Sequence, residues 1–158
     1  MAKGALTIDT SRLSAALRSF ASTHGPAAVD RVVRRGAFGI GGQIVRSLNG
    51  TEAGYANPKR IETGRYRAAW AVGTSQATGL SVGAPSSPES QSGDGSGVKS
   101  GAGLNASITV TNNVEYGPYV EYGTESMEAG LHVQDAVARE TKKIEKAIAA
   151  ELGRAWRA

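Results

Sequence analysis

Between residues 83 and 103 lie twenty-one positions of which twelve are Gly or Ser, with Pro85 and Pro88 besides. Such a stretch carries too little apolar surface to offset the entropy of ordering it. Whatever this chain folds into must be built on either side of an extended flexible loop at 83–103. Order within the loop is expected from a neighbouring subunit or partner chain. The flanking sequence suffices for one compact unit, since 40% of the 158 residues are hydrophobic, and the expectation is a single domain over 1–158.

Periodicity assigns the elements. Leu13, Ala16, Leu17 and Phe20 fall at helical spacing between Asp9 and Ser22, and His24-Gly25-Pro26 is expected to end that helix. A longer one follows, with Val29, Val33, Ala37, Ile40, Ile44 and Leu48 on one face and Asp30, Arg31, Arg34 and Arg35 on the other. Its centre, Gly36-Ala37-Phe38-Gly39-Ile40-Gly41-Gly42, is costly at about 1 kcal/mol per interior glycine. Something must therefore pack very close to this backbone, or the helix must bend there. Residues 51–63 read as a loop.

Beyond it, Arg67–Thr74 and Leu80–Ala84 read as short strands around a turn at Gln76–Gly79, and Asn105–Asn112 alternates as a third. The last segment, from about Gly130 to Arg157, is an amphipathic helix with Val133, Val137, Ile144, Ile148, Leu152 and Trp156 in its stripe. The expected class is α+β: a small antiparallel sheet of three to four strands packed against N-terminal and C-terminal amphipathic helices.

Composition closes several functional routes. There is no Cys and only His24 and His132, which leaves no disulfide framework, thiolate site or multi-histidine metal centre, and no cofactor motif is present. No apolar run approaches the ~18 residues of a membrane span, and Met1-Ala2-Lys3-Gly4 leads into polar sequence, so synthesis in the cytoplasm without membrane insertion is expected. Gly93-Asp94-Gly95-Ser96-Gly97-Val98-Lys99-Ser100 resembles a phosphate loop only superficially, because Val98 separates the lysine from the last glycine; it reads as flexible loop. His132 and Asp135 could orient an imidazole, but nothing joins them, and a surface or interface histidine is the better reading. No enzyme is indicated.

The net charge of +4 is modest. Its densest basic cluster is Lys59, Arg60, Arg65 and Arg67 around Tyr66, a candidate DNA-facing strip, and the alternative function from another class is a small basic nucleic-acid-binding protein. More conspicuous is Asn113 to Thr124, where Tyr116, Tyr119 and Tyr122 stand among Gly117, Pro118, Glu121, Gly123 and Thr124. This reads as a compact aromatic turn whose tyrosines are divided between closing the core and meeting another subunit.

These residues resemble a known family. Thr63-Gly64-Arg65-Tyr66-Arg67, a variable loop, a strand ending in Asn112-Asn113, the run Tyr116-Gly117-Pro118-Tyr119-Val120-Glu121-Tyr122-Gly123-Thr124 and a closing amphipathic helix are together similar to the tail-component, or neck, family of long-tailed bacteriophages. Where that family commonly has two prolines, Met127-Glu128-Ala129-Gly130-Leu131-His132 stands here. The resemblance implies a non-enzymatic virion protein that forms a ring at the head–tail junction, completing the tail and joining it to the head connector. The implied partners are copies of itself in a ring of six-fold symmetry or a multiple, a connector or adaptor protein, and a tail-tube or tail terminator protein. Genomic DNA would pass through the lumen without sequence-specific binding. A closed ring needs two different patches to meet. They are expected at the sheet edge, at the loop (Gly93, Gly95, Gly97) and at the tyrosine turn (Tyr116, Tyr119, Glu121, Tyr122, Gly123, Thr124).

Overall fold

The apolar stripe that begins at Val29 folds as helix α1 (Gly25–Leu48) in a computed structural model, which describes residues 18–48, 64–83 and 87–157. The helix expected at Asp9–Ser22 lies mostly outside the described residues. Where its end was expected, the chain stays helical: a π-helical turn, Phe20–His24, leads straight into α1. Pro26 does not break it: it follows directly on the π turn, whose wider ring makes room ahead of it.

The glycine-rich centre of α1 is a two-sided contact. α4 (His132–Arg157) packs on one side and α2 (Arg65–Thr78) on the other. A Cβ on Gly36 would stand 2.8 Å from Ile144 Cδ1, and one on Gly41 would stand 2.1 Å from Thr74 Oγ1. Close approach, the first of the two expected explanations, is thus what the glycines serve.

The expected strand at Arg67–Thr74 is instead the middle of α2. Ala68, Ala69, Ala71 and Ala77 are good helix formers, and their small side chains give weak periodicity of either kind. The helix is bracketed by Gly64 and Gly79, both left-handed at φ 68° and 71°, and the Gly79 N–H closes the last turn on the Ser75 carbonyl at 2.8 Å. The expected turn at Gln76–Gly79 is this helix end, and Leu80–Gly83 form no strand.

The sheet among the described residues therefore has two strands, not three or four. β1 (Gly95–Ser100) and β2 (Ser107–Asn112) pair antiparallel, from Gly95 opposite Asn112 to Ser100 opposite Ser107. β2 was expected. β1 lies inside the stretch expected to be a flexible loop, and the reason is backbone contact with α2. A Cβ on Gly95 would fall 2.0 Å from the Ala69 carbonyl oxygen, and one on Gly97 1.8 Å from that of Gly73. Strand and helix touch main chain to main chain because β1 meets α2 through Gly95 and Gly97 and α2 presents Gly73 and alanines, and Gln76 Oε1 accepts a bond from the Gly97 N–H at 3.1 Å.

Ile44, Leu48, Tyr66, Ala69, Val114, Val120 and Ala136 form the core, with Ile40, Trp70, Tyr116 and Val133 against it. Tyr66 meets Trp70 edge-on with ring centroids 6.2 Å apart, and its burial raises its pKa. In place of the aromatic turn stands a short helix, α3 (Gly117–Tyr122), opened by Pro118 and closed by Gly123 at φ 77°.

Candidate functional site

The sequence singles out the run from Tyr116 to Thr124, and the fold gives its residues separate tasks. Gly117 lies against the Tyr66 ring, where a Cβ would come within 2.9 Å of Cε2, so α3 is seated directly on the core. Tyr116 stacks at a tilt on Tyr66, with centroids 6.3 Å apart, and Val120 is buried. Tyr119 and Tyr122 point outward, 59% and 75% exposed. The three tyrosines are divided between core and surface: one in, two out.

Glu121, grouped with the surface residues in the sequence reading, is buried. Its Oε1 accepts the backbone N–H of Val133 at 2.9 Å and of Gln134 at 3.3 Å, capping the first turn of α4 from twelve residues upstream. The first N–H groups of a helix have no partner within it and carry a partial positive charge, so a carboxylate there is doubly suited. Gly130 N–H and Leu131 N–H bond back to the carbonyls of Val120 and Glu121 at 3.1 and 3.0 Å. Gly123 is required by its positive φ and by the Met127 carbonyl, 2.4 Å from where a Cβ would be, and Thr124 pairs with Met127 across a tight turn. The effect is to clamp α3 and the start of α4 into one unit that presents Tyr119 and Tyr122.

His132, expected at the surface or at an interface, lies inside the chain. It is buried, and its Nδ1 lies 3.0 Å from Ser47 Oγ. Ser47 gives its one hydroxyl hydrogen to the Ile44 carbonyl at 2.8 Å, so His132 Nδ1 donates to Ser47. A serine whose proton is held by its own helix is not a nucleophile poised for attack; the pair ties α4 to α1. Among the described residues no group of His, Asp and Glu is arranged to hold a metal ion, and no helix is long and apolar enough to cross a membrane.

The candidate DNA-facing strip is divided as well. Lys59 and Arg60 lie outside the described residues. Arg65 grips Asp94 with two bonds, Nε to Oδ2 at 2.8 Å and Nη2 to Oδ1 at 2.7 Å, and reaches Glu115 at 3.4 Å. Its charge is thus spent within the chain, and Arg67 follows it on α2, partly buried. Arg65 holds the Asp94 carboxyl down to about 2, with help from the Gln91 N–H at 2.7 Å, and Asp94 in return raises the guanidinium pKa. Of the loop glycines, Gly93 is exposed at φ 90°, whereas Gly95 and Gly97 face α2 inside the chain. The sequence reading missed the Arg65–Asp94 and Glu121–α4 links, which join distant positions and leave no local pattern.

A family model described as "Bacteriophage HK97-gp10, putative tail-component" matches residues 11–123. That span takes in the tyrosine run and ends at the glycine closing α3. Neither the curated proteins nor the solved structures give a match.

Proposed function

Because this chain belongs to the HK97-gp10-like bacteriophage tail-component family, we propose that it is a structural protein of the virion neck, forming a ring at the head–tail junction that completes the tail and joins it to the head connector. The observation that carries this reading is the pair of exposed tyrosines on a short helix that is itself fixed to the core, within the span shared with the family. Exposed aromatic side chains on a rigid support are what a subunit contact uses, because they bury large area at little cost in side-chain entropy. Each copy would meet the next through the tyrosine helix, the sheet edge and the 83–103 stretch. A connector or adaptor protein would bind one side of the ring and a tail-tube or tail terminator protein the other, with genomic DNA passing through the lumen. The protein then acts by shape and contact, located in the virion.

Deletion of the gene from the phage that encodes it tests this. Filled heads and free tails should accumulate separately and join when the purified protein is added, and mass spectrometry should find the protein in intact particles. Joined, infectious particles lacking the protein would overturn the reading.

A further inference from the structure

An apolar groove runs between α1, β2 and α4, lined by Val29, Val33, Ala37 and Ile40 on α1, Ile108 on β2 and Ile148 on α4. Its volume is about 410 Å³, and an adjoining hollow of about 210 Å³ shares Ala37, Ile40 and Ile108 with it. Ile148 is 45% exposed in this groove. Tyr119 and Tyr122 line neither hollow, since α3 is pinned to Tyr66 and to the entry of α4. The described residues therefore display an aromatic projection and an apolar recess that the chain cannot bring together within itself.

Charge selects the occupant. From Gly101 to Ala138 there are five acidic residues, Glu115, Glu121, Glu125, Glu128 and Asp135, and no Lys or Arg. Glu125 and Glu128 are exposed on the turn just after α3. The hollow at the groove's end carries the opposite sign, two Arg to one Glu among its described lining residues. At the groove's end Arg31 and Arg154 flank Glu151, with Arg31 bonded to it at 3.3 Å and Arg154 at 2.8 Å. An acid-rimmed aromatic projection and a base-rimmed apolar recess are complementary in both terms that drive docking, apolar burial and charge.

We infer that Tyr119 and Tyr122 of one copy insert into the α1–β2–α4 groove of the next copy, with Glu125 and Glu128 facing Arg31 and Arg154 at the groove's end. The contact is heterologous, so it propagates head to tail and closes into a ring when the rotation allows. This rests on the reading that the chain assembles with itself, and adds which two surfaces meet.

Two full-length variants separate the surfaces: Tyr119→Asp/Tyr122→Asp removes the projection, and Val29→Asp/Ile148→Asp spoils the recess, at positions exposed or half-buried. Circular dichroism confirms that each folds. In native mass spectrometry of the concentrated chains, the unaltered protein should form species beyond dimers. Each variant alone should remain monomeric, and an equimolar mixture should yield heterodimers and nothing larger, because only one competent interface survives per pair. Association should fade toward 1 M salt, where the screening length falls to about 3 Å. An unaltered chain that stays monomeric, variants that assemble as it does, or a mixture without heterodimers would each overturn the inference. So would loss of assembly on Leu13→Asp/Leu17→Asp while the tyrosine variant still assembles, which would assign the groove to residues 1–17. The presence of the protein in joined particles decides the neck reading separately.

Discussion

Asp94 is held by Arg65 through two parallel bonds of 2.8 and 2.7 Å across twenty-nine positions of sequence, and through it the start of β1 is fastened to the start of α2. The Asp94 carbonyl also accepts the Asn113 N–H at 2.7 Å, just past the end of β2. One residue thus anchors both ends of the hairpin to the helix beneath it.

This link makes stability depend on acid. Asp94 titrates at about 2 in the folded chain, below the ~3.9 of an unfolded aspartate, so its contribution is complete above about pH 4 and is lost as pH falls through about 2. Urea midpoints measured from pH 6 down to pH 2 should fall in that window, and Asp94→Asn should flatten the fall.

Glycines inside one helix should respond differently to alanine. At Gly41 the new Cβ would meet the buried, β-branched Thr74 at 2.1 Å from Oγ1 and 2.9 Å from Cβ, with no room to yield. Gly41→Ala should cost about 1–3 kcal/mol in denaturant melts. At Gly39 the three nearest atoms all belong to the flexible Glu140 side chain, its Oε2 at 2.7 Å, and helix propensity favours alanine by about 1 kcal/mol. Gly39→Ala should be neutral or stabilising.

The cap supplied by Glu121 should be measurable amide by amide. Glu121→Ala leaves the Val133 and Gln134 N–H groups without their acceptor and should destabilise by about 1–2 kcal/mol, as loss of a helix cap does. Hydrogen exchange should accelerate at those two amides before it does at the far end of α4.

The tyrosines should separate folding from assembly. Tyr116→Ser removes a ring packed on Tyr66 and should cost about 1–3 kcal/mol. Tyr119→Ser/Tyr122→Ser should shift the melt by no more than about 0.5 kcal/mol, since both rings are exposed. Head–tail joining should fail in the second variant although its fold is intact.

Local pattern determined the long helices, the strand at 107–112, the α+β class and the weight placed on the tyrosine run. Each is written in the spacing of apolar residues or in a contiguous motif, and the chain has little freedom to contradict such signals. The packed structure decided the rest. Residues 67–74 became helix because alanine serves either element and its Gly64 and Gly79 brackets are recognisable only once the chain is seen to turn there. Residues 95–100 became strand because a glycine backbone, the least self-ordering kind, was the only one that α2 could admit at main-chain contact. Glu121 and Arg65 were drawn inward by partners twelve and twenty-nine residues away, at distances in sequence over which spacing carries no information.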